Sequence, residues 1–227
     1  MTEEIYKTYL IAYNCNMIMG WSSILFMMIG HIAGISSTKG LYISLGPMVK
    51  IFQTGAVLEV LHVAIGIVKS NLRMTFFQVF SRLFVVWGIM QHVPEAQENV
   101  GVVMFLVAWV ITEIIRYTYY FCMLLSMVPY YLMWARYSLF VGLYPLGVTG
   151  ELLCMFRSLP YISARNTLSL SLPNRLNVSF SFYYFLIAVM LSYIPIFPQL
   201  FSRMLSQRKR VLAMMARKRA EMANKKE

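Results

Sequence analysis

The chain has 227 residues, of which 59% are hydrophobic and 13% are charged, whereas about a quarter of the residues of a soluble domain are charged. This composition excludes an ordinary soluble enzyme or binding domain and predicts an all-α integral membrane protein. The net charge of +11 comes mostly from the C-terminal tail, where nine of the 20 Lys and Arg residues but only two of the nine acidic residues follow position 202. Because most of the chain would lie in lipid, this charge indicates a membrane surface as its partner, and not nucleic acid.

Six apolar segments follow one another along the chain, and each is long enough, or nearly so, to cross a bilayer. The first three cover about 8–35, 41–68 and 75–90. The fourth begins at about 100 and has a blurred end before Pro129, where an aromatic cluster suggests an interfacial turn. The fifth starts near Arg136 and covers 137–154, and the sixth covers about 178–202. We therefore predict a six-transmembrane-helix bundle in residues 1–202 and a basic tail in 203–227.

The distribution of charge over the loops predicts the orientation of this bundle. Six spans put both termini on one side of the membrane, and the basic tail places that side in the cytosol. The basic loop at 69–73 would then be cytosolic and the acidic loop at 91–99 lumenal, both as expected. The loop at 157–177 disagrees, because it is basic but falls on the lumenal side.

The fifth span carries the pair of residues that most strongly indicates chemistry. Tyr144 precedes Glu151 by seven residues, almost two helical turns, so both side chains leave one face with their Cα atoms roughly 10 Å apart. Gly147 lies between them on that face and adds no side chain. An ionisable group inside a membrane is costly and marks a candidate functional site. The alternative is a structural hydrogen bond at Glu151 beside an ordinary interfacial tyrosine.

The second and fourth spans also carry ionisable residues. Glu113, Arg116 and Tyr117 are most simply an intramembrane ion pair with a neighbouring hydroxyl, and the functional alternative has Arg116 orienting a substrate carbonyl or phosphate. Glu59 and His62 have the ExxH spacing of di-iron helix bundles, but the spacing occurs once. A polar pair in the bundle interior is favoured over a metal site.

Several cations lie near the predicted cytosolic ends of the spans: Lys69, Arg73, Arg82, Arg116 and Arg136. They would form either a basic mouth for phosphate groups or a set of side chains that extend to the interface for structural reasons. The sequence has no GxSxG, Walker or HExxH motif, and no cysteine is followed six residues later by arginine. Serine hydrolase, P-loop, zinc protease and cysteine phosphatase chemistry are therefore not indicated.

The run RYSLFVGLYPLGVTGE at 136–151 closely resembles the signature of the 3-hydroxyacyl-CoA dehydratases, also called the protein tyrosine phosphatase-like or PTPLA proteins. Three further segments are similar to that family: LEVLH at 58–62, TFFQVFSRLFVVW at 75–87 and WVITEIIRYTYY at 109–120. The resemblance is strong over roughly 49–151, and the six-span layout agrees with it throughout.

This resemblance implies a multi-pass protein of the endoplasmic reticulum membrane that catalyses the third step of very-long-chain fatty acid elongation. A (3R)-3-hydroxyacyl-CoA would lose water to give a trans-2-enoyl-CoA. The family's catalytic tyrosine and glutamate fall on Tyr144 and Glu151. The implied partners are the condensing enzyme and the ketoacyl and enoyl reductases of the cycle, and no cofactor or metal is implied. The lysines before Glu227 are shifted from the family's usual retrieval signal.

Dehydration requires a base for the C2 proton and an acid for the departing hydroxyl group. At neutral pH an unperturbed glutamate is ionised and an unperturbed tyrosine is protonated, so Glu151 is the expected base and Tyr144 the acid; the reverse assignment stays open. Gly147 would let the thioester approach the helix, and the basic mouth would hold the CoA phosphates. A non-catalytic membrane scaffold and a transporter remain as alternatives from other classes.

Overall fold

The structure, a computed structural model, describes residues 2–34, 40–170, 172–173 and 177–224. Within these residues it contains no β-strand, only an isolated bridge between Leu170 and Phe180. The helices are α1 (Thr2–Gly34), α2 (Leu41–Gly55), α3 (Val57–Ala64), α4 (Leu72–Leu83), α5 (Val100–Leu124), α6 (Tyr130–Ser138), α7 (Phe140–Arg165) and α8 (Phe182–Asn224). A π-helical segment, Phe84–Met90, continues α4, and a 3-10 helix, Pro94–Glu98, precedes α5.

The prediction of an all-α, six-span membrane bundle is confirmed. Five helical stretches among the described residues are long and apolar enough to cross a bilayer, and the bent pair α6–α7 passes the same test as a sixth. Large apolar side chains are exposed on the outside of the bundle, where soluble proteins rarely form such extended patches. Examples are Phe26 (80% exposed), Ile43 (69%) and Ile194 (69%).

Three spans differ in detail from the prediction. The second is interrupted at Ala56 between α2 and α3, and the fifth is bent by 42° between α6 and α7. Helix α7 continues to Arg165, so the connection predicted to begin at 157 begins after 165. Helix α8 runs without a break across the predicted boundary at 202/203, so the basic tail begins as an extension of the last span.

Helix α5 lies at the centre of the bundle and packs against α1 and α7. Its buried residues include Phe105, Trp109 and Tyr117, all at most 2% exposed. Its first turn is capped by the Asn99 side chain, which accepts a hydrogen bond of 2.9 Å from the Gly101 backbone N–H. The central position of α5 explains why its polar residues meet partners from several other helices.

Helices α5 and α7 cross so closely that their backbones touch at two glycines. A methyl group added at Gly150 would lie 2.6 Å from the Gly101 carbonyl oxygen and 2.6 Å from the Phe105 nitrogen. Backbone atoms cannot yield as a flexible side chain can, so only glycine fits at this crossing. The crossing sets the position of α7, and therefore of Tyr144 and Glu151, against α5.

We expect Gly150→Ala to destabilise the purified protein by at least about 1 to 3 kcal/mol, the usual cost of overpacking. Thermal unfolding in detergent, followed by the loss of monodisperse protein, measures the effect. Gly142→Ala is the matched control, because Gly142 lies on the same helix and an added methyl group there meets nothing within 4 Å. Equal melting temperatures for the two variants would contradict this view of the crossing.

An ion pair accounts for part of the basic charge that was unexpected on the predicted lumenal side. Arg165, at the end of α7, donates two hydrogen bonds to the Glu95 carboxylate in the 3-10 helix before α5. These bonds lower the pKa of the Glu95 carboxyl group. One basic residue of this side is therefore neutralised by the acidic connection that faces it.

Candidate active site

A cavity of about 500 Å³ lies between α4, α5, α7 and α8. Its wall includes Glu151, in the interior, Arg136 and Tyr137, near the end of α6, and Gln207, in the basic part of α8. Residues that line it include those of the first turns of α4, the last turns of α5, the α6–α7 bend and the second half of α8. The cavity therefore reaches from the middle of the bundle to one membrane side, where α4 begins and α5 ends.

Glu151 lies on the wall of this cavity and is 5% exposed. The indole Nε1–H of Trp109 donates a hydrogen bond of 2.9 Å to Glu151 Oε1, and the Tyr193 hydroxyl donates one of 2.8 Å to Oε2. Each carboxylate oxygen thus accepts one bond, from α5 on one side and α8 on the other. This arrangement suits a carboxylate that has to hold a fixed orientation next to a bound molecule.

Tyr144 lines the same cavity from the same helix. Its ring stacks on Phe197 at a centroid distance of 5.0 Å and on Phe201 at 6.1 Å, with interplanar angles of 2° and 9°. These two aromatic residues of α8 limit the rotation of the phenol. The structure therefore brings Tyr144 and Glu151 to one cavity, as their seven-residue spacing predicts.

Gly147 lines the cavity between them and is buried. A methyl group added there would meet the Ala108 side chain at 3.2 Å and the Trp109 ring at 3.9 Å. The missing side chain therefore serves the packing of α7 on α5 and of the indole beside Glu151. This is a different reason for the glycine from the approach of the thioester to the helix, which the sequence analysis expected.

Arg82 is a predicted supporting residue that the structure places on the cavity wall. It lines the cavity, its guanidinium carbon lies 5.3 Å from the centre of the Trp109 ring, and it forms an ion pair with Glu113. The guanidinium thus faces an indole that itself donates to Glu151. Arg82 places positive charge beside the cavity without closing an ion pair to the candidate base.

Glu113, Arg116 and Tyr117 belong to a buried network beside the cavity and do not line it. Arg116 donates to both oxygens of Glu59, at 2.8 and 2.7 Å, and to Glu113 at 2.9 and 2.5 Å. Tyr117 also donates to Glu59. The alternative in which Arg116 contacts a substrate is not supported by this position, since its guanidinium is fully engaged with carboxylates.

The charges of this network balance, because Arg82 and Arg116 face Glu59 and Glu113. Removing one member of such a buried set leaves an unpaired charge and costs about 3 to 5 kcal/mol. The network ties α3, α4 and α5 together next to the cavity. The simpler of the two sequence interpretations, an intramembrane ion pair with a neighbouring hydroxyl, describes it correctly.

His62 and Glu59 bond to different partners, and not to one shared centre as in the metal site that their spacing suggested as an alternative. A hydrogen bond of 2.9 Å joins His62 Nε2 to the Tyr9 hydroxyl, whereas Glu59 bonds to Arg116 and Tyr117. Among the described residues, no group of three or more His, Cys, Asp or Glu side chains is placed to hold a metal ion.

The predicted basic mouth is only partly formed. Of the five cations, Arg82 and Arg136 line the cavity, while Arg116 is held in the buried network. Arg136 lies near its outer end, with its guanidinium carbon 5.8 Å from the Tyr120 ring. Lys69 and Arg73 are exposed and do not line it.

Tyr193 is a functional candidate that the sequence analysis missed. It lies 42 residues from Glu151 on another helix, and nothing in its local sequence separates it from the other 14 tyrosines. Trp109 was noted only as part of a family-like segment, and its bond to Glu151 also spans 42 residues. Contacts at such distances depend on how α5, α7 and α8 pack, which periodicity does not reveal.

We expect Tyr193→Phe to lower kcat roughly tenfold with little change in KM, because one hydrogen bond that orients the Glu151 carboxylate is lost. Steady-state kinetics on the purified protein separate the two parameters. Tyr184→Phe on the same helix is the control, since Tyr184 is 72% exposed. A variant with unchanged kcat would show that this bond is only structural.

Comparison with known proteins adds an independent result. The family model described as "Protein tyrosine phosphatase-like protein, PTPLA" matches residues 53–214. The human protein named very-long-chain (3R)-3-hydroxyacyl-CoA dehydratase 2 is 48% identical over 205 residues, covering 90% of this chain and 81% of that protein. No solved structure matches the chain.

Relatives from two further organisms give the same result. The Caenorhabditis elegans protein named very-long-chain (3R)-3-hydroxyacyl-CoA dehydratase hpo-8 is 46% identical, covering 91% of this chain and 95% of that protein. The Arabidopsis thaliana protein named very-long-chain (3R)-3-hydroxyacyl-CoA dehydratase PASTICCINO 2 is 38% identical, with coverages of 91% and 94%. The similarity therefore extends over nearly the whole length of these proteins.

Proposed function

Because the chain belongs to the protein tyrosine phosphatase-like (PTPLA) family, we propose that it catalyses the dehydration for which its relatives are named. It is a multi-pass membrane lyase that removes water from a very-long-chain (3R)-3-hydroxyacyl-CoA in fatty acid elongation. The product is a trans-2-enoyl-CoA. The site described above supplies the residues for this reaction.

The observation that supports this site is the presence of Tyr144 and Glu151 on the wall of one cavity. An elimination of water moves two protons in opposite directions, so it needs one group that accepts and one that donates. Glu151 already accepts two hydrogen bonds, from Trp109 and Tyr193, which favours its role as the ionised base. Tyr144 carries a hydroxyl proton that can go to the leaving group.

In the proposed reaction, Glu151 removes a proton from C2 of the acyl chain. The electron pair of that C–H bond forms the C2–C3 double bond, and the C3–O bond breaks. The departing hydroxide takes the proton of Tyr144 and leaves as water. Proton transfer from Glu151 to the tyrosinate, directly or through water, restores both groups, so the cycle consumes no co-reactant.

Negative charge develops on the thioester oxygen as C2 loses its proton, and Arg82 is the cation on the cavity wall near Trp109 and Glu151. We assign it the role of stabilising that charge electrostatically. Arg136, near the outer end of the cavity, is assigned to the polar part of the substrate. Glu113, Arg116 and Tyr117 are assigned to support, because they hold Arg82 and α5 in place.

The acyl chain has an apolar path along the cavity. Phe84, Ala108 and Val189 line its inner end, on the side of Glu151 away from the mouth, and contact with their side chains removes apolar surface from water. The CoA end then lies toward the side on which α4 begins. This orientation fits a substrate that is anchored by lipid contacts and enters from an aqueous compartment.

The family and the charge pattern support a proposal for the location and the partners. We propose that the protein lies in the endoplasmic reticulum membrane with both termini in the cytosol, since the basic tail and the loop at 69–73 lie on one side. The same side contains the cavity mouth, so the substrate would arrive from the cytosol. The condensing enzyme and the two reductases of the elongation cycle are its proposed partners.

The experiment for this function uses purified protein in lipid nanodiscs with each enantiomer of a 3-hydroxyacyl-CoA. Conversion of the (3R) thioester to the trans-2-enoyl-CoA, with little conversion of the (3S) thioester, is the expected result. Mass spectrometry and ultraviolet absorbance of the enoyl thioester detect the product. A scaffold or a transporter would form no enoyl product from either enantiomer.

A further inference from the structure

A second hollow adjoins the substrate cavity at its outer end. It is a groove of about 520 Å³ between the first turn of α4 and the second half of α8. Its lining residues are Met74, Arg203, Met204, Gln207, Arg210 and Val211. Three of them, Met74, Met204 and Gln207, also line the substrate cavity. A molecule that leaves the cavity at this point therefore enters the groove directly.

One face of α8 runs through both hollows. Tyr193, Leu200 and Gln207 are spaced by seven residues, and all three line the cavity, with Gln207 shared by the groove. Arg203 and Arg210 are likewise seven apart, so both leave nearly the same side of the helix. The helix thus connects the hydrogen bond at Glu151 to two guanidinium groups.

The charge of the groove is entirely positive. Arg203 and Arg210 are exposed, and none of the six lining residues is acidic. Within the described part of the chain, the ion pairs involve neither of these arginines. Arg203 has Met74 as a neighbour, with 4.0 Å between Nη1 and Sδ. Two arginines without carboxylate partners beside an apolar floor suit a ligand with phosphate groups and a flat ring.

Distances along α8 match the dimensions of coenzyme A. Tyr193, which contacts Glu151, precedes Arg203 by ten residues and Arg210 by 17, or about 15 Å and 25 Å of helix. An extended pantetheine arm, with about 13 bonds from sulfur to phosphorus, spans roughly 15 Å at the bond lengths of a peptide chain. A thioester at Glu151 would therefore bring the diphosphate close to Arg203.

We propose that this groove binds the nucleotide end of the CoA thioester, with Arg203 at the diphosphate, Arg210 at the ribose phosphate, and Met74, Met204 and Val211 against the adenine. The proposal rests on the proposed function. The main phosphate contacts are then made by Arg203 and Arg210, at the start of the basic tail, and not by the cations of the basic mouth that the sequence indicated. The extension of α8 beyond the membrane is then part of the substrate site.

The test compares two thioesters of the same (3R)-3-hydroxyacyl group, one on CoA and one on pantetheine, which lacks the diphosphate and the nucleoside. The variant is Arg203→Gln/Arg210→Gln in nanodiscs of neutral phosphatidylcholine. Its control, Lys209→Gln/Arg217→Gln, removes the same charge from exposed positions of α8 outside the groove. We expect the variant to raise KM for the CoA thioester roughly tenfold or more, with KM for the pantetheine thioester unchanged. The control should change neither.

The proposal is overturned if the variant and its control give the same KM for the CoA thioester, or if the variant weakens both thioesters equally. A second arm measures binding of adenosine 3′,5′-bisphosphate by calorimetry, which needs no turnover. If the wild type dehydrates neither thioester, the proposed function has failed, and this arm still decides whether the groove binds the nucleotide. Unchanged nucleotide binding, with reduced retention of an anionic lipid by the variant, would assign the groove to a lipid headgroup instead.

Discussion

Replacing Glu151 with glutamine is expected to lower the rate of dehydration by roughly a hundredfold to ten-thousandfold, the usual contribution of a general base. Glutamine keeps the size of the side chain, and its amide oxygen can still accept one of the two bonds that Trp109 and Tyr193 donate. It cannot accept the C2 proton. The measurement is single-turnover conversion of the (3R)-3-hydroxyacyl-CoA by purified protein in nanodiscs.

Glu98→Gln is the control for this variant, because it makes the same chemical change at an exposed carboxylate in the connection before α5. Its rate should equal that of the wild type. A Glu151→Gln protein that is folded and dehydrates at close to the wild-type rate would remove Glu151 from the mechanism.

Replacing Tyr144 with phenylalanine is expected to lower kcat by roughly a hundredfold or more, because the leaving hydroxyl group loses its proton donor. The ring stacking on Phe197 and Phe201 requires no hydroxyl, so the fold around the site should be preserved. Steady-state kinetics with the CoA thioester measure the change, and KM should stay within a few-fold of the wild type.

The control is Tyr131→Phe, which removes the same hydroxyl group from a side chain that is 81% exposed. An intact kcat in Tyr144→Phe would mean that another donor protonates the leaving group. Tyr193 would then be the next candidate, since its hydroxyl donates a hydrogen bond to Glu151.

The part of the site that lies on one helix could be predicted from the sequence. Helical periodicity alone places Tyr144, Gly147 and Glu151 on one face of α7, and the structure puts all three on the cavity wall. The span count also follows from composition, because a membrane helix needs a long apolar run. Both inferences depend only on residues that are close in sequence.

The partners of these residues could not be predicted in this way. The bonds from Trp109 and Tyr193 to Glu151, and from Arg116 to Glu59, connect residues more than 40 positions apart. Which of several tyrosines or arginines meets a given carboxylate depends on helix rotation and crossing distance. The close approach of α5 and α7 at Gly101 and Gly150 is one such determinant.

The groove at Arg203 and Arg210 was also beyond the sequence analysis, for a different reason. The basic tail that contains these arginines was interpreted as a membrane-surface segment, because positive charge is attracted to the cytosolic surface of a membrane. The unbroken course of α8 from Phe182 to Asn224 instead carries those arginines along the face that lines the cavity. The change from apolar to basic composition therefore marks the point at which α8 leaves the lipid and enters water, and not the end of the helix.

The central claim is that Tyr144 and Glu151 together eliminate water from a thioester bound in one cavity. The most direct measurement is single-turnover formation of trans-2-enoyl-CoA by the Tyr144→Phe/Glu151→Gln double variant, alongside its equilibrium binding of the (3R)-3-hydroxyacyl-CoA. We expect the double variant to bind the substrate within a few-fold of the wild-type Kd and to form no product above the uncatalysed rate. Formation of the enoyl thioester at close to the wild-type rate would contradict the claim.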